Sequence, residues 1–268
     1  MSPTVTEPGT GLQFVELSHF WGPGIPIFPG DHDVRIERVG YHARDGVMAQ
    51  RITTNMHNGT HVNAPIHLIQ GGADISALSI DRFFGSGVVL NIPKKKWELV
   101  TDKDLAAAQP QVREGDIVII VTGWHTNYSE SQNYFGNAPG LSKGAAEWLV
   151  AKKGAMAGID TAQIDHPLPT SLGPHRGGPL MRRLPKSYQD ETGRDPKKDF
   201  PDWNVAHKIL LRAGIPTIEN VGGDVAAVAG KRVTLQACPW KYFGGDACNI
   251  RLMAILDPAG QYRIAKGA

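Results

Sequence analysis

The sequence predicts an α/β fold built on a mixed central β-sheet. Short apolar segments of strand length recur along the chain, and segments with the ends and apolar spacing of helices lie between them. Strands that alternate with helices of about ten residues are typical of α/β domains, and uninterrupted apolar runs are typical of strands covered on both faces. No internal repeat or linker divides the 268 residues. We therefore expect a single domain over residues 13–268.

The predicted strands follow a polar N-terminal stretch. Residues 1–12 are rich in Pro, Thr and Gly and show no periodicity, which predicts a flexible tail. Most of the later segments are rich in Val, Ile and Leu and end at turn-forming residues, as strands do. In chain order, the predicted strands are 14–18, 86–93, 116–124, 155–160, 217–221, 234–238 and 251–257.

The helix predictions rest on residues that can begin or end a helix. Thr101 or Asp102 can cap a short helix, and Ser142 can cap a longer one that stops at a glycine. Asp202 precedes a third helix, which has an apolar stripe and ends at Gly214. These helices alternate with the predicted strands and support the α/β assignment.

One long segment, residues 171–201, interrupts this alternation. It contains many Pro, Gly and charged residues and shows little periodicity. Irregular segments of this length are uncommon inside compact domains and often act as lids or interface arms. We therefore expect an irregular insert at about 171–201.

Composition excludes whole classes of protein. The net charge is +2 and the basic residues are dispersed, so we expect no nucleic-acid partner. Two cysteines, Cys238 and Cys248, cannot form the disulfide framework of a small secreted domain. No signal peptide is visible, and no apolar run approaches the roughly 18 residues of a membrane span. We expect a cytoplasmic protein that does not enter a membrane.

A cluster of histidines is the strongest indication of chemistry. His57, His61 and His67 fall within one short segment together with the side-chain amide of Asn63. Neutral imidazole is the commonest protein ligand of first-row divalent metals. The turn-forming pair before Thr60 argues against a helix, so the chain bends there and continues extended. Alternation along an extended segment would then place His61 and Asn63 on one face. The segment therefore predicts a divalent-cation site.

A second group could complete the site. His207 lies on the helix that ends at Gly214, and Glu219 follows on the next predicted strand. A helix-turn-strand hairpin could bring these two side chains together, and Glu219 is notable because an unpaired carboxylate in a buried strand is costly. A strand-edge or salt-bridged glutamate is an equally good interpretation of this residue alone.

These residues resemble a known group of enzymes. The segment HNGTHVNAPIH (57–67) resembles the His-x-Gly-Thr-His-x-Asp-x-Pro-x-His motif of the cyclase family, which includes bacterial kynurenine formamidases and isatin hydrolases. Residues 158–167 (GIDTAQIDHP), the pair formed by His207 and Glu219, and residues 243–256 (FGGDACNIRLMAIL) follow in the order of that family. The resemblance spans about residues 13–257.

The resemblance implies a swivelling β/β/α fold, a homodimer or homotetramer, and hydrolysis of a small-molecule amide by water activated on zinc or manganese. His, Asn and Glu ligands suit both metals, so the sequence does not choose between them. By this resemblance, His57, His61 and Asn63 match the primary metal ligands, and His67, His207 and Glu219 match the positions that hold a second ion in members with two ions. In members with one ion, the position of His67 is similar to that of a general base. Carried over by position, the metal ligands are His57, His61, Asn63, His67, His207 and Glu219, and the catalytic residues are His67 and His207.

Asn63 departs from the family motif, which has Asp at this position. A neutral amide cannot bridge two dications as a carboxylate can, so their repulsion would be less compensated. We therefore expect one ion rather than two, or a weakened second one. A harsher interpretation is that Asn63 marks a variant that binds metal without catalysis.

The predicted function is hydrolysis of a cyclic amide or imide, such as an isatin or a lactam. Trp21, Phe28 and Trp124 are the predicted substrate-binding residues, because the resemblance implies an aromatic pocket. Three alternatives stay open. They are an arylformamidase acting on N-formylkynurenine, a lactone hydrolase, and a metal-dependent lyase or isomerase, since enolate stabilisation needs similar ligands.

Overall fold

A computed structural model describes residues 4–262 of the chain. Its strands are β1 (Thr4–Thr6), β2 (Gln13–Glu16), β3 (Arg35–Gly40), β4 (Ala49–Thr53), β5 (His61–Asn63), β6 (Phe84–Asn91), β7 (Leu99–Val100), β8 (Ile117–Val121), β9 (Gly140–Leu141), β10 (Met156–Ile159), β11 (Thr217–Glu219), β12 (Lys231–Gln236), β13 (Ala247–Asn249) and β14 (Met253–Leu256). Its α-helices are α1 (His42–Asp45), α2 (Asp102–Ala107), α3 (Gln132–Gly136), α4 (Lys143–Ala151), α5 (Leu184–Thr192), α6 (Pro196–Asp199) and α7 (Val205–Arg212).

A ten-stranded mixed sheet forms the centre of the fold, in the order β1-β2-β14-β12-β6-β8-β10-β11-β5-β13. The middle strands β6, β8, β10 and β11 run parallel to one another, and the outer pairs are antiparallel. Each segment that the sequence predicts as a strand overlaps one of these strands. The mixed α/β architecture is thus confirmed, whereas the name swivelling β/β/α stays a prediction.

The central strands are covered on both faces, as their apolar runs predict. All residues of β8 are buried. Ile117 and Ile119 of this strand pack into a cluster on one face, and Val118 and Ile120 pack into another on the opposite face. The second cluster includes Leu149 of α4 and further apolar residues of α7. Burial on both faces explains why these strands lack polar alternation.

Two of the three predicted helix starts are confirmed. Thr101 caps α2 with a reciprocal pair of hydrogen bonds involving Asp104, and the Ser142 side chain accepts from the N–H of Ala145 at the start of α4. Asp202 was predicted to lead into the third helix, but α7 begins at Val205. The side chain of Asn204, the N-cap residue, makes no hydrogen bond to the start of α7.

A distant carboxylate replaces the local cap of α7. Asp165 accepts hydrogen bonds from the backbone N–H groups of Ala206, at 2.7 Å, and His207, at 3.1 Å. Free N–H groups at a helix start favour such an acceptor. The prediction for Asp202 is therefore wrong, because the acceptor comes from elsewhere in the chain.

Two segments predicted to be irregular contain regular structure. Residues 4–6 form β1, which pairs antiparallel with β2, whereas residues 1–3 lie outside the described part of the chain; the flexibility of residues 1–12 stays a prediction. The insert at 171–201 contains α5 and α6, and Tyr188 of α5 is buried and donates a hydrogen bond to Asp199. The assignment of one domain stays a prediction. Within residues 4–262, no helix has both the length and the apolar character needed to cross a bilayer.

Candidate metal centre

The short strand β5 brings two predicted ligands to the end of the sheet. It lies between β11 and β13, and His61 pairs with Glu219 on one side and Asn249 on the other. Directly opposite residues in an antiparallel pair share a face and lie close together. As a result, His61 Nε2 is 3.2 Å from Glu219 Oε2. Strand pairing therefore explains why residues far apart in sequence meet here.

The predicted histidines lie in one cluster. The ring centroids of His57 and His67 are 4.4 Å apart, and those of His57 and His61 are 5.2 Å apart. His67 ends a short 3-10 helix, Pro65–His67, and its ring lies 6.0 Å from that of His207 on α7. The turn before β5, with Gly59 at φ +72°, directs the chain back across the sheet end. The structure thus places all four rings beside one another.

His61 is oriented by the backbone. Its Nδ1 donates to the carbonyl oxygen of Gly59 at 2.9 Å, so Nε2 of the neutral ring carries a lone pair. That Nε2 is buried without a hydrogen bond, although Glu219 Oε2 is nearby. Metal-binding histidines commonly use the second ring nitrogen in this way to fix the tautomer and the ring orientation. A buried nitrogen lone pair beside a carboxylate fits a bound cation.

Glu219 and His207 form a buried ion pair. Glu219 Oε1 accepts from the Ile164 N–H at 2.6 Å and lies 2.9 Å from His207 Nε2. His207 Nδ1 lies 2.7 Å from Asp165. Burial alone would lower the pKa of His207, but the two carboxylates raise it to about 10. Burial would conversely raise the pKa of Glu219, and His207 and His61 hold it well below its usual range. Both ring nitrogens of His207 are thus engaged.

Asn63 is buried next to this cluster, beside His207. The side chain is fully buried, and its Nδ2 donates to Thr217 Oγ1 at 3.1 Å. Its Oδ1 has no hydrogen-bond partner. Buried polar atoms are rarely left unpaired, and an amide oxygen can bind a hard cation. Asn63 therefore offers a neutral oxygen where the family motif has a carboxylate.

Sequence reasoning missed a second carboxylate, Asp246. Its Oδ2 is 2.9 Å from His57 Nε2 and 3.5 Å from His67 Nδ1. One ligand atom from each of these three residues lies within 4.8 Å of the others. Hydrogen bonds from the two imidazoles hold the pKa of Asp246 well below its usual range, whereas burial lowers the pKa of His67. The available signal was its place in residues 243–256, a segment that follows the order of the family but in which no metal ligand was predicted.

Two further residues that were not predicted hydrogen-bond to residues of the site. Asp165 contacts His207, as described above, and Asn220 follows Glu219 in the left-handed region, with φ +55°. The Asn220 Nδ2 donates to Gly59 O at 3.1 Å, and its Oδ1 accepts from the hydroxyl of Tyr134 at 2.6 Å. Their long sequence separations from the histidine segment left no local pattern to recognise.

A cavity of about 420 Å³ opens onto the cluster. His57, His61, His67, His207, Glu219 and Asp246 all line it. Phe28 also lines it, as predicted, together with Phe135 and Trp203. Trp21 and Trp124 are not among the residues that line this cavity. Trp124 is buried with its indole N–H on the Tyr134 carbonyl, and Trp21 packs against Gly59. The structure thus places neither tryptophan on this cavity, and their role in substrate binding stays a prediction.

The residues present fit a divalent cation. Imidazole nitrogens and carboxylate oxygens are the ligands that zinc and manganese use in proteins. The cluster provides both kinds, and the carboxylates of Glu219 and Asp246 carry enough negative charge to balance a dication. A cation here would also satisfy the unpaired His61 Nε2 and Asn63 Oδ1.

Comparison with known proteins identifies relatives of this chain. The model of a family described as putative cyclase matches residues 15–166. The kynurenine formamidase of Erythrobacter litoralis (strain HTCC2594) is 25% identical over 163 residues, which are 60% of this chain and 71% of that protein.

Solved structures share the fold over nearly the whole chain. An isatin hydrolase bound to the product analogue thioisatinate superposes with a TM-score of 0.72 at 20% identity, covering 91% of this chain and 92% of the other. Isatin hydrolase A from Ralstonia solanacearum gives 0.72 at 18% identity, with the same coverage. A potential metal-dependent hydrolase with cyclase activity gives 0.65 at 20% identity, covering 91% of this chain and 98% of the other.

Proposed function

Because this chain belongs to the cyclase family, we propose that it is a metal-dependent hydrolase that opens a small cyclic amide or imide. One observation carries the proposal. The buried Nε2 of His61 has no hydrogen-bond partner while Nδ1 is bonded to Gly59, in a cluster that lines a cavity. A purely structural histidine at this depth would have both ring nitrogens paired.

The three imidazoles of the motif would hold a single ion. His57, His61 and His67 line the cavity from one continuous segment, and Asn63 Oδ1 lies unpaired behind them. A divalent cation bound there polarises a carbonyl group and makes water acidic enough to attack at neutral pH. His67 is a ligand in this assignment, although its position also suits a general base. Zinc and manganese are both consistent with this donor set.

Glu219 is placed to accept the proton from the attacking water. Its Oε1 is occupied by Ile164 N–H and His207, whereas its Oε2 lies 3.2 Å from His61 Nε2 and accepts no hydrogen bond from the backbone of residues 4–262. A carboxylate next to a metal site is an established general base. His207, held between Glu219 and Asp165, keeps the carboxylate oriented and ionised. After the attack, Glu219 Oε2 would transfer the proton that it took from the water to the leaving nitrogen.

The cavity walls favour a flat, partly apolar substrate. Phe28, Phe135 and Trp203 line the cavity opposite polar groups, and a pocket of about 420 Å³ suits a small molecule. Fused cyclic amides such as isatin have this shape, and solved relatives of the same fold include isatin hydrolases. The kynurenine formamidase relative supports a formyl-amide such as N-formylkynurenine as the second candidate. The homodimer or homotetramer, the absence of a nucleic-acid partner and the cytoplasmic location stay predictions.

Metal content and turnover test this proposal together. Protein purified without chelator should contain about one equivalent of zinc or manganese, and should open isatin or a γ-lactam faster than a dienelactone or N-formylkynurenine. In water enriched in oxygen-18, the product should gain one labelled oxygen, whereas a lyase or isomerase would incorporate none. Metal with no turnover of any of the four compounds would instead support a metal-binding protein inactivated by Asn63.

Two variants separate the roles within the site. Glu219→Gln should retain the metal and lose turnover by roughly 100-fold or more, because general-base catalysis is worth about 10² to 10⁴. His61→Ala should lose both metal and turnover. If His61→Ala leaves metal content and turnover intact, the assignment of the centre is wrong.

A further inference from the structure

The cluster lacks the carboxylate that the family motif places at position 63. Many divalent-metal sites combine neutral imidazoles with anionic ligands, because the negative charge offsets the cost of desolvating the cation. Asn63 contributes a neutral amide whose Nδ2 is tied to Thr217. Glu219 is already paired with His207 and receives the Ile164 N–H. The ion would therefore need its negative charge from another residue.

Asp246 reaches the cluster from the strand beside Asn63. Ala247, the first residue of β13, pairs with Asn63 across the sheet, and the Ala64 N–H donates to the Asp246 carbonyl at 2.8 Å. Asp246 directly precedes Ala247, the residue that pairs with Asn63. It therefore lies one position along β13 from the point opposite Asn63, where the family motif has a carboxylate. Its side chain, about half exposed at 49%, extends into the cavity.

The Asp246 carboxylate is close to the ring nitrogens of two predicted metal ligands. Its Oδ2 is 2.9 Å from His57 Nε2 and 3.5 Å from His67 Nδ1. Two ligand atoms that share a tetrahedral ion at about 2.1 Å lie roughly 3.4 Å apart. The observed separations lie on either side of that value. Among residues 4–262, this trio is a group of possible metal ligands whose ligand atoms all lie within 4.8 Å of one another.

We propose that Asp246 is the anionic metal ligand of this chain and replaces the carboxylate that position 63 lacks. The inference rests on the metal dependence proposed above and deepens it. In this assignment His57, His67 and Asp246 would hold the ion, and Asp246 would supply its negative charge.

A charge-relocation experiment tests this directly. Binding of Mn²⁺ and Zn²⁺ to chelator-treated protein is measured by titration calorimetry, and the number of ions by equilibrium dialysis. Asp246→Asn should weaken binding by at least about 100-fold, since loss of even an outer partner costs 10- to 100-fold. The double variant Asn63→Asp/Asp246→Asn, which returns the carboxylate to position 63, should bind within about tenfold of the parent protein.

Asp31→Asn is the matched control. Asp31 lines the same cavity but is not part of the trio formed by His57, His67 and Asp246. Asp31→Asn therefore tests how much a nearby carboxylate that is not a ligand contributes to metal affinity. We expect the metal affinity of Asp31→Asn to fall by less than about tenfold, because a charge that acts through solvent contributes little. The thermal midpoint of each variant in chelator shows that the fold is retained.

Three results of the binding measurements would overturn the inference. Unchanged affinity in Asp246→Asn excludes Asp246 as a ligand. An equal loss in Asp31→Asn shows a general field effect, and a double variant as weak as Asp246→Asn shows that the carboxylates are not interchangeable. Metal binding that depends on Asp246 without hydrolysis would defeat the proposed function alone. Hydrolysis with unchanged metal binding in Asp246→Asn would defeat this inference alone.

Discussion

Asn220 and His61 hydrogen-bond to the same backbone oxygen, that of Gly59. The Asn220 Nδ2 donates to it at 3.1 Å and the His61 Nδ1 at 2.9 Å. Asn220 is held in turn by the hydroxyl of Tyr134 and adopts φ +55°, a conformation that asparagine tolerates better than most residues. The orientation of a predicted metal ligand thus depends on a residue of another strand end.

Removal of the Asn220 side chain should therefore weaken metal binding. Asn220→Gly keeps the left-handed backbone without strain but no longer fixes the Gly59 carbonyl. We expect divalent-cation affinity to fall about tenfold, as for other changes behind a metal ligand, measured by titration calorimetry. Tyr134→Phe, which removes only the hydroxyl that orients Asn220, should have a smaller effect. Parent-like affinity in Asn220→Gly would show that His61 is oriented without it.

Asp165 should be important for stability as well as for the site. It is fully buried and accepts hydrogen bonds from Ala206 N–H and from both the backbone and the ring of His207. In Asp165→Asn, the charged partner of a buried imidazolium is lost, and breaking such a pair costs about 3–5 kcal/mol. Urea unfolding should show a loss of roughly 3 kcal/mol.

Asp202→Asn is the control for the Asp165 prediction. Asp202 is exposed and lies before the same helix, so its substitution should change the free energy of unfolding by less than about 0.5 kcal/mol. A comparable loss in both variants would mean that the start of α7, rather than the buried pair, determines the effect.

The central sheet could be predicted from sequence because its strands carry their own signal. β8 reads IVIIV and is buried on both faces. β5 and β13 carry no such signal, since each has three residues and becomes a strand through its neighbours. The histidine cluster was predictable because its residues are close in sequence. Asp246 was not, since it lies 189 residues from His57 and meets it only through the β5–β13 pairing.

Gly59 should not tolerate a side chain. It has φ +72°, and an added Cβ would lie 2.9 Å from Trp21 Cδ1. Gly59→Ala therefore combines backbone strain of about 1–2 kcal/mol with a clash that displaces Trp21 or the turn. We expect unfolding free energy and metal affinity both to fall, because the Gly59 carbonyl orients His61.

Gly46→Ala separates strain from the clash. Gly46 also has φ +72°, but an added Cβ there meets nothing within 4 Å. This variant should show the strain cost alone and parent-like metal affinity. If Gly59→Ala is no more destabilising than Gly46→Ala, the Trp21 contact has no energetic role.

His166 should make the fold less stable in mild acid. It is fully buried, its Nε2 donates to the Trp97 carbonyl at 3.1 Å, and its Nδ1 accepts from Leu168 N–H at 3.2 Å. Burial lowers its pKa from 6.5 to about 3. Between these values the unfolded chain binds a proton at this ring and the folded chain does not. The free energy of unfolding should therefore fall as the pH falls below 6.5, by up to about 1.4 kcal/mol per pH unit from this ring.

His166→Gln isolates this contribution, because glutamine keeps a donor and an acceptor but does not titrate. At pH 7.5 the variant should be less stable than the parent, since it loses the ring that stacks on Phe200. Its deficit should shrink as the pH is lowered to 5, because only the parent pays for keeping the ring neutral. Urea unfolding in chelator, which removes the pH dependence of metal binding, measures both slopes. Parallel slopes would mean that His166 is protonated in the folded protein, and that its two hydrogen bonds rearrange to accommodate the charge.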